Sequence, residues 1–483
     1  MSYIKPPHNI LCCRGKNVRG SGFILKYIKH IIKKLLRDGL FYKDLGIIAA
    51  PIIIQNFIST SLNMVDTIMI GMVGETQIAA VGIANQVFLL FCMFMFGICS
   101  GCGIFISQFW GKRDKDNIKR VVGLGLSSTL VISAIFTFVA IAFSRGIIAI
   151  FNTDPDVLLY GSKYLRLVCL SYAFTAVTFC FSFALRSIEK AIYPMYISAA
   201  ALITNTFLNY VFIFGHFGFR AMGVEGAALA TVIARFIEAV MIIAVIYRSN
   251  KILAPGFKDM FLIDTYFFKR IYRTTIPVLL NEVCWGLAAV VYSVAYGRIG
   301  KEAIASIQIS NTIQQLFMIL CFGMANASGV MIGKRIGAGN EEEGRDYAHR
   351  FAVLSIATGI FIGVVMIAGG PLILRFFNVS QGVVIDAYQI MKINSLIMPV
   401  RVFNIVLIVG VLRGGGDANH AFAIEAFTMW FMGVPAAFAG ALLFKLPIYW
   451  VVALTTLEEI GKFILCMYRL VSDKWINNLV KNF

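Results

Sequence analysis

The chain has 483 residues, of which 59% are hydrophobic and only 14% charged. A soluble domain of that length carries about 25% charged residues, so a water-covered globule is excluded and a lipid-facing surface is implied. The net charge of +18 does not point to nucleic acid, because the basic residues sit in short connections between apolar runs.

In chain order, residues 1–21 read as a disordered tail. No compact apolar core followed by a small-residue cleavage site is visible, so no cleavable signal is expected. Residues 24–44 read as a basic amphipathic helix, with Lys26, Lys29, Lys33, Lys34 and Arg37 alternating with Ile28, Ile31, Ile32, Leu35 and Leu36. That pattern suits an anionic membrane surface. A spanning helix needs about twenty mostly apolar residues. Twelve segments qualify: 45–72, 78–108, 118–144, 157–184, 191–214, 222–247, 274–298, 302–333, 347–368, 383–411, 418–442 and 447–469. Pro51, Pro194, Pro277, Pro399 and Pro435 are candidate bends. The Cys99-x-x-Cys102 pair lies among Gly97, Gly101 and Gly103 and reads as small residues filling a helix interface rather than a redox or metal site.

Charge sets the expected orientation. Ten Lys and Arg precede the first span. Lys112, Arg113, Lys115, Lys119 and Arg120 follow the second, and Arg248, Lys251, Lys258, Lys269, Arg270 and Arg273 follow the sixth. Lys334, Arg335, Arg345 and Arg350 follow the eighth. Opposite connections are nearly bare: none near Glu75, only Arg220 after the fifth span and only Lys445 after the eleventh. Both termini are therefore expected in the cytoplasm, with the chain a multi-pass protein of the plasma or inner membrane.

Setting Pro51 against Pro277, and every later position at that same offset, aligns two halves without a gap. Over residues 51–111 fourteen positions match, among them Pro51/Pro277, Gly71/Gly297, Asn85/Asn311, Gly97/Gly323, Gly103/Gly329 and Gly111/Gly337. Chance would give roughly five. Six spans per half return the chain to the same side, so the expected fold is an all-α membrane protein of twelve transmembrane helices. It forms two six-helix bundles related by a pseudo-two-fold along the membrane normal. The expected division is a tail and basic helix over 1–44, an N-terminal bundle over 45–247, a cytoplasmic linker over 248–273, a C-terminal bundle over 274–469 and a cytoplasmic tail over 470–483. In transporters built this way the substrate path lies between the halves.

Several motifs occur in order: Pro51-x-x-x-Gln55-Asn56, Asn63-Met-Val-Asp66 to Gly71, Ile78-Ala-Ala-Val-Gly82, Asn85-Gln86, Gln108-x-x-Gly111-Lys112, Gly223-Val-x-Gly226 to Thr231, and Leu412-Arg-Gly-Gly-Gly-Asp417. From about residue 41 onward the chain resembles the multidrug and toxic compound extrusion (MATE) family of the MOP flippase superfamily. The resemblance implies secondary active efflux of organic, often cationic, compounds by alternating access, in exchange for protons or sodium ions. It implies no catalysis, no cofactor beyond the coupling ion, and no metal other than a sodium ion at Asp66.

An ionisable side chain deep in a span is costly and marks a candidate site. Asp66 leads, one helical turn from Asn63; the resemblance puts a cation-binding carboxylate at this position. Asn205 and Asn209, four apart, share one helix face and either bind that carboxylate or only join helices. Thr231 adds a hydroxyl. In one branch of the family the residue matching Asn209 is often an aspartate; here it is neutral, which weakens the case for direct sodium binding. Glu282, five residues after Pro277, is the second coupling candidate, alternatively a protonated interhelical glutamate. Trp285 could offer a π-face to a cation. Asn63, Asn85, Gln86, Asn311 and Trp285 are candidate substrate-cavity residues.

Glu225, Arg235, Glu238, Arg401, Glu425, Glu458, Glu459 and Lys462 rank lower, with Arg235–Glu238 and a Lys462 carboxylate pair expected. The five histidines form no catalytic or metal cluster. The partners expected are the lipid bilayer and small organic substrates, not nucleic acid, and the chain is expected to work as a monomer. A lipid-linked oligosaccharide flippase would need a strongly cationic cavity, and an integral-membrane transferase a convergent catalytic set; the sequence shows neither.

Overall fold

A computed structural model describes residues 38–261, 264–375, 377 and 379–483. The basic helix expected over 24–44 lies almost wholly outside the described residues. The elements are helices: α1 (Gly39–Gly71), α2 (Glu75–Lys112), α3 (Lys115–Phe151), α4 (Pro155–Val168), α5 (Ser171–Ser187), α6 (Ile192–Phe214), α7 (Val224–Ser249), a short α8 (Phe257–Phe261), α9 (Thr265–Gly297), α10 (Lys301–Gly337), α11 (Glu341–Leu374), α12 (Gln381–Leu412), α13 (Ala418–Leu443), α14 (Ile448–Thr455) and α15 (Leu457–Val471). Ten are individually long and apolar enough to cross a bilayer. The bent pair α4–α5, turned by 50°, makes an eleventh.

The twelfth expected span, 447–469, is two short helices. They meet at Thr456, and the second opens with Glu458 and Glu459. Those carboxylates and Lys462 are buried in pairs described below, and neither short helix is by itself long and apolar enough to qualify as a span.

Local chemistry starts the helices where the chain turns. Asp38 caps α1 at Phe41 N, 3.1 Å; Asp114 caps α3 at Asn117 N, 3.1 Å; and Asp154 caps α4 at the amides of Asp156 and Val157. Each oxygen satisfies amides the first helical turn leaves free. On α3 the apolar side chains of Val131, Ile135 and Phe138 are 60%, 55% and 68% exposed. Their helical spacing makes one outward stripe, the surface lipid would cover.

The halves meet through pairs of contacts that repeat at the offset relating Pro51 to Pro277. A side chain on Gly97 would run into Leu279, and one on Gly323 into Ile53. A Cβ on Gly111 would strike the Lys334 carbonyl oxygen, and one on Gly337 the Gln108 carbonyl oxygen. Each partner sits at that same offset from its counterpart. Only glycine lets the backbones of α2 and α10 come this close. The same reciprocity holds between elements, with α2 on α9 and α1 on α10.

Close contacts along α2 run from Met93, against Gly286, to Gly111. Toward the start of α2, Asn85, Gln86, Leu89 and Leu90 are exposed, as is Asn311 on α10. The seam is therefore tight at the end carrying the basic connections and loose at the other.

Residues 475–483 seal the tight end. Trp475 and Val480 are fully buried, and the Phe483 ring packs edge-on against Phe105, Phe109 and Phe267. Lys112 Nζ donates to the carbonyls of Val480 and Phe483, both 2.9 Å, and Arg270 to those of Leu479 and Asn482, also 2.9 Å. Asn478 Nδ2 donates to Ile336 O at 2.8 Å, and Asn477 N to Gly415 O at 2.7 Å. The tail thus touches both halves at once.

Candidate functional site

Asp66 sits on α1 five residues before that helix ends, about 8 Å from its terminus at 1.5 Å per residue. Asn209 Nδ2 donates to Asp66 Oδ1 at 2.5 Å and lies 3.0 Å from Asn205 Oδ1; Asn205 Nδ2 reaches Thr231 Oγ1 at 3.5 Å. Thr231 in turn donates to the Ala227 carbonyl one turn earlier. Four of the five candidate coupling residues therefore form one chain across α1, α6 and α7. Asn205 and Asn209 are buried while Asp66 is only partly so. Asn209 Oδ1 accepts no hydrogen bond among the described residues, an exception in a buried amide. An oxygen left over beside a carboxylate is suited to a proton or a small cation.

Below this chain runs a second buried polar network. Arg235 Nη1 binds Glu238 Oε2 at 2.7 Å, the expected i,i+3 pair. Ser198 Oγ donates to Glu238 Oε1 at 3.3 Å, Gln55 Nε2 to Ser198 at 3.1 Å, and Arg186 Nη2 to Gln55 Oε1 at 2.6 Å. It ties α1, α5, α6 and α7 together and holds the helices that present Asp66 and Asn209. Glu225, read as intramembrane, lies in the first turn of α7 and pairs with Lys163 at 2.9 Å on an exposed surface.

Glu282, the fifth candidate, lies in the other half. Its Oε1 accepts from Arg413 Nη2 at 2.8 Å. Arg413 is 2% exposed and precedes the glycine turn at 414–416. Neighbouring Asn281 donates to Glu425 Oε2 at 2.8 Å. On α15, Lys462 pairs with Glu458 at 2.9 Å, and Arg401 with Glu459 at 3.3 Å; Asn404 donates to Glu459 Oε2 at 2.7 Å, and the Tyr292 hydroxyl to Glu458. Gly433 makes room for that last contact, since any side chain there would collide with both groups.

The candidate cavity residues Asn63, Asn85, Gln86, Asn311 and Trp285 are all exposed. Asn85, Gln86 and Asn311 lie on the helices flanking the loose end of the seam. Cys99 and Cys102 are buried free thiols; Cys102 packs against Gly125.

A family model described as MatE matches this chain twice, over residues 51–211 and 277–439. The two copies begin at Pro51 and Pro277, the offset that aligns the halves. "Uncharacterized transporter YisQ" of Bacillus subtilis is 26% identical over 395 residues, covering 80% of this chain and 85% of that protein. "Probable multidrug resistance protein NorM" of Thermotoga maritima is 25% identical over 423 residues, covering 84% and 86%. "Multidrug resistance protein MdtK" of Pectobacterium atrosepticum is 24% identical over 410 residues, covering 83% and 88%.

Among solved structures, one described as an outward-facing conformation of a multidrug resistance MATE family transporter superposes with a TM-score of 0.81 at 19% identity. It covers 91% of this chain and 98% of its own. A MOP superfamily transporter from Pyrococcus furiosus, described as having a binding pocket of reverse polarity, gives 0.80 at 18%, with the same coverage. At such identities these likenesses speak for the fold alone.

Proposed function

From the premise that the chain belongs to the MATE (MatE) family of transporters, we propose that it is a secondary active efflux antiporter that exports organic, often cationic, compounds. The observation that carries this is the hydrogen-bonded chain Asp66–Asn209–Asn205–Thr231, a carboxylate held by neutral amides between three helices. Its charge has no fixed counter-ion within ion-pair distance among the described residues, so an exchangeable cation can take that role.

Two bundles, 45–247 and 274–469, would rock about a pseudo-two-fold axis, with 248–273 as linker. The reciprocal contacts Gly97–Leu279 and Gly323–Ile53 support that relationship. The seam, tight at the basic end and loose at the other, fits a state open away from the basic end. With the positive residues inside, that state faces outward and both termini lie in the cytoplasm. Cation binding at Asp66 would lower substrate affinity by changing the packing of α1 on α6 and α7. A cation moves the equilibrium only if it prefers one state. The reading places a monomer in the plasma membrane, driven by an ion gradient and without a cofactor. A flippase for anionic lipid-linked sugars is less well supported, because Arg235, Arg401 and Arg413 each already face a carboxylate.

The test is efflux of an organic cationic dye from proteoliposomes with separately imposed proton and sodium gradients. Wild type should export under at least one gradient. Asp66→Asn should insert and remain monodisperse yet lose gradient-driven export. Wild-type rates from that variant would overturn the assignment of Asp66.

A further inference from the structure

Residues 475–483 divide into a root seated on the C half and a tip seated on the N half. The root is Trp475 to Asn478. The buried Trp475 ring lies so close over Gly415 that any side chain there would collide with it. Asn477 N donates to Gly415 O at 2.7 Å, and Asn478 Nδ2 to Ile336 O on α10 at 2.8 Å. Gly416 holds φ +85°, and a Cβ on it would meet Asn477 O at 2.5 Å. The glycine turn at 414–416 is therefore the seat of this segment, and only glycine fits it.

The tip is Leu479 to Phe483. Leu479 N donates to Gln108 Oε1 at 2.9 Å, and Lys112 Nζ holds the carbonyls of Val480 and Phe483. Val480 is buried in the apolar cluster that contains Phe105 and Phe109 of α2 and Ile118 and Val121 of α3. The Phe483 ring packs against Phe105 and Phe109. Between root and tip stands Gln108 of α2, fully buried. Its Nε2 donates to Gly414 O at 3.2 Å and to Asn477 O at 3.3 Å. One N-half side chain is thus bound to the C-half turn, to the root and to the tip.

We propose that residues 475–483 are a latch on the basic end: the root rides with the C half, and the tip must leave α2 and α3 before that end opens. The proposal rests on the alternating-access reading above and adds the part that holds one end shut. Opening the seam there parts Gln108 from Gly414. The tip, continuous in the chain with the C half, then has to give up Gln108, Lys112 and the Phe105–Phe109 surface. Contacts made in one state only bias the equilibrium toward that state. The tip carries no helix or strand of its own, so it detaches without breaking a hydrogen-bond ladder, and its freed carbonyls turn to water.

The test locks the tip or the root in the full chain reconstituted in liposomes. Phe109→Cys with Phe483→Cys ties the tip to the N half. Arg345→Cys with Asp473→Cys replaces the 2.9 Å ion pair just before the root and ties it to the C half. Each pair is bridged by a bis-methanethiosulfonate reagent, whose link a reductant cleaves. Dye export should fall by at least about tenfold in the first lock and recover on reduction. The second lock should export at its reduced rate. Phe109 is buried, so a variant that leaves α2 intact there supplies a second measurement. Ser107 is 2% exposed and faces Gly333 across the seam. In Ser107→Cys, maleimide labelling of the detergent-purified chain should quicken by about tenfold when Phe483→Ala is added. Equal export from the locked and reduced 109–483 protein, equal loss from both locks, or labelling unchanged by Phe483→Ala would overturn the latch. No export from wild type under any gradient would instead overturn the efflux reading, and the labelling rates would still decide the latch.

Discussion

Arg413 holds Glu282: the guanidinium of a residue 2% exposed donates to the carboxylate at 2.8 Å, joining α9 to the end of α12. Removing one member of such a buried pair strands the other charge, at a cost of about 3–5 kcal/mol. Glu282→Leu and Arg413→Met should each lower the melting temperature in detergent sharply. The double replacement should recover most of the loss, because an apolar pair needs no desolvated charge. Additive losses in that double-mutant cycle would show that the two residues do not act as a pair.

Asn209 is expected to tune the ion site rather than to be the site. Asn209→Ala removes the 2.5 Å donor to Asp66 while leaving the carboxylate. Gradient-driven export should fall by about tenfold and its pH dependence should shift relative to wild type. A profile superimposable on wild type would assign Asn209 to helix joining alone.

The glycine seam predicts matched effects at repeat-related positions. Gly97→Leu would drive Cβ to within 2.7 Å of Leu279 Cα, and Gly323→Leu would collide with Ile53. Overpacking of this kind costs about 1–3 kcal/mol. Both variants should lose thermal stability by similar amounts, and a sulfhydryl pair placed at 53 and 323 should cross-link less readily when position 97 carries leucine.

The entrance to α1 supplies a pH dependence outside the membrane. The Arg350 guanidinium, bonded to Asp38 at 2.6 Å, holds that carboxyl below its usual range, with the Phe41 and Leu40 amides acting the same way against a smaller effect of burial. A depressed folded value means the contribution to stability is present above the unfolded pKa of about 3.9 and is lost as pH falls through the folded value. Wild type should therefore exceed Asp38→Asn in melting temperature at pH 7, and the difference should shrink below about pH 4. A gap that widened in acid would contradict the pairing.

Residues 475–483 should exchange slowly as long as both of their basic clamps are present. Lys112 and Arg270 hold four backbone carbonyls of that segment. Lys112→Ala with Arg270→Ala should speed amide exchange there by about tenfold, read by mass spectrometry, while α3 is unaffected.

Much of this molecule is written in one dimension. Apolar run length fixes the spans, because a bilayer offers no partner for an unpaired backbone and only helices satisfy it. The internal repeat is likewise linear information; Gly97, Gly111, Gly323 and Gly337 carry it, and each marks a close contact between helices. Asp66 stands out as a charge inside an apolar run, and Asn205 and Asn209 share a helix face; their grouping with Thr231 as one cluster is what the family resemblance implies.

What the chain order could not tell is which buried charge belongs to which. Glu282 and Arg413 lie 131 residues apart, and Glu425 and Asn281 lie 144 apart. Nothing in spacing or composition selects those pairs over Glu282 with Lys462 or Glu425 with Arg401. Likewise residues 470–483 read only as a cytoplasmic tail, since a short mixed segment has no periodic signature of its own, yet Trp475 and Val480 are fully buried against the seam. Electrostatic pairing acts through a few ångströms of space, and only the folding of α9, α12, α13 and α15 onto one another decides which groups share them.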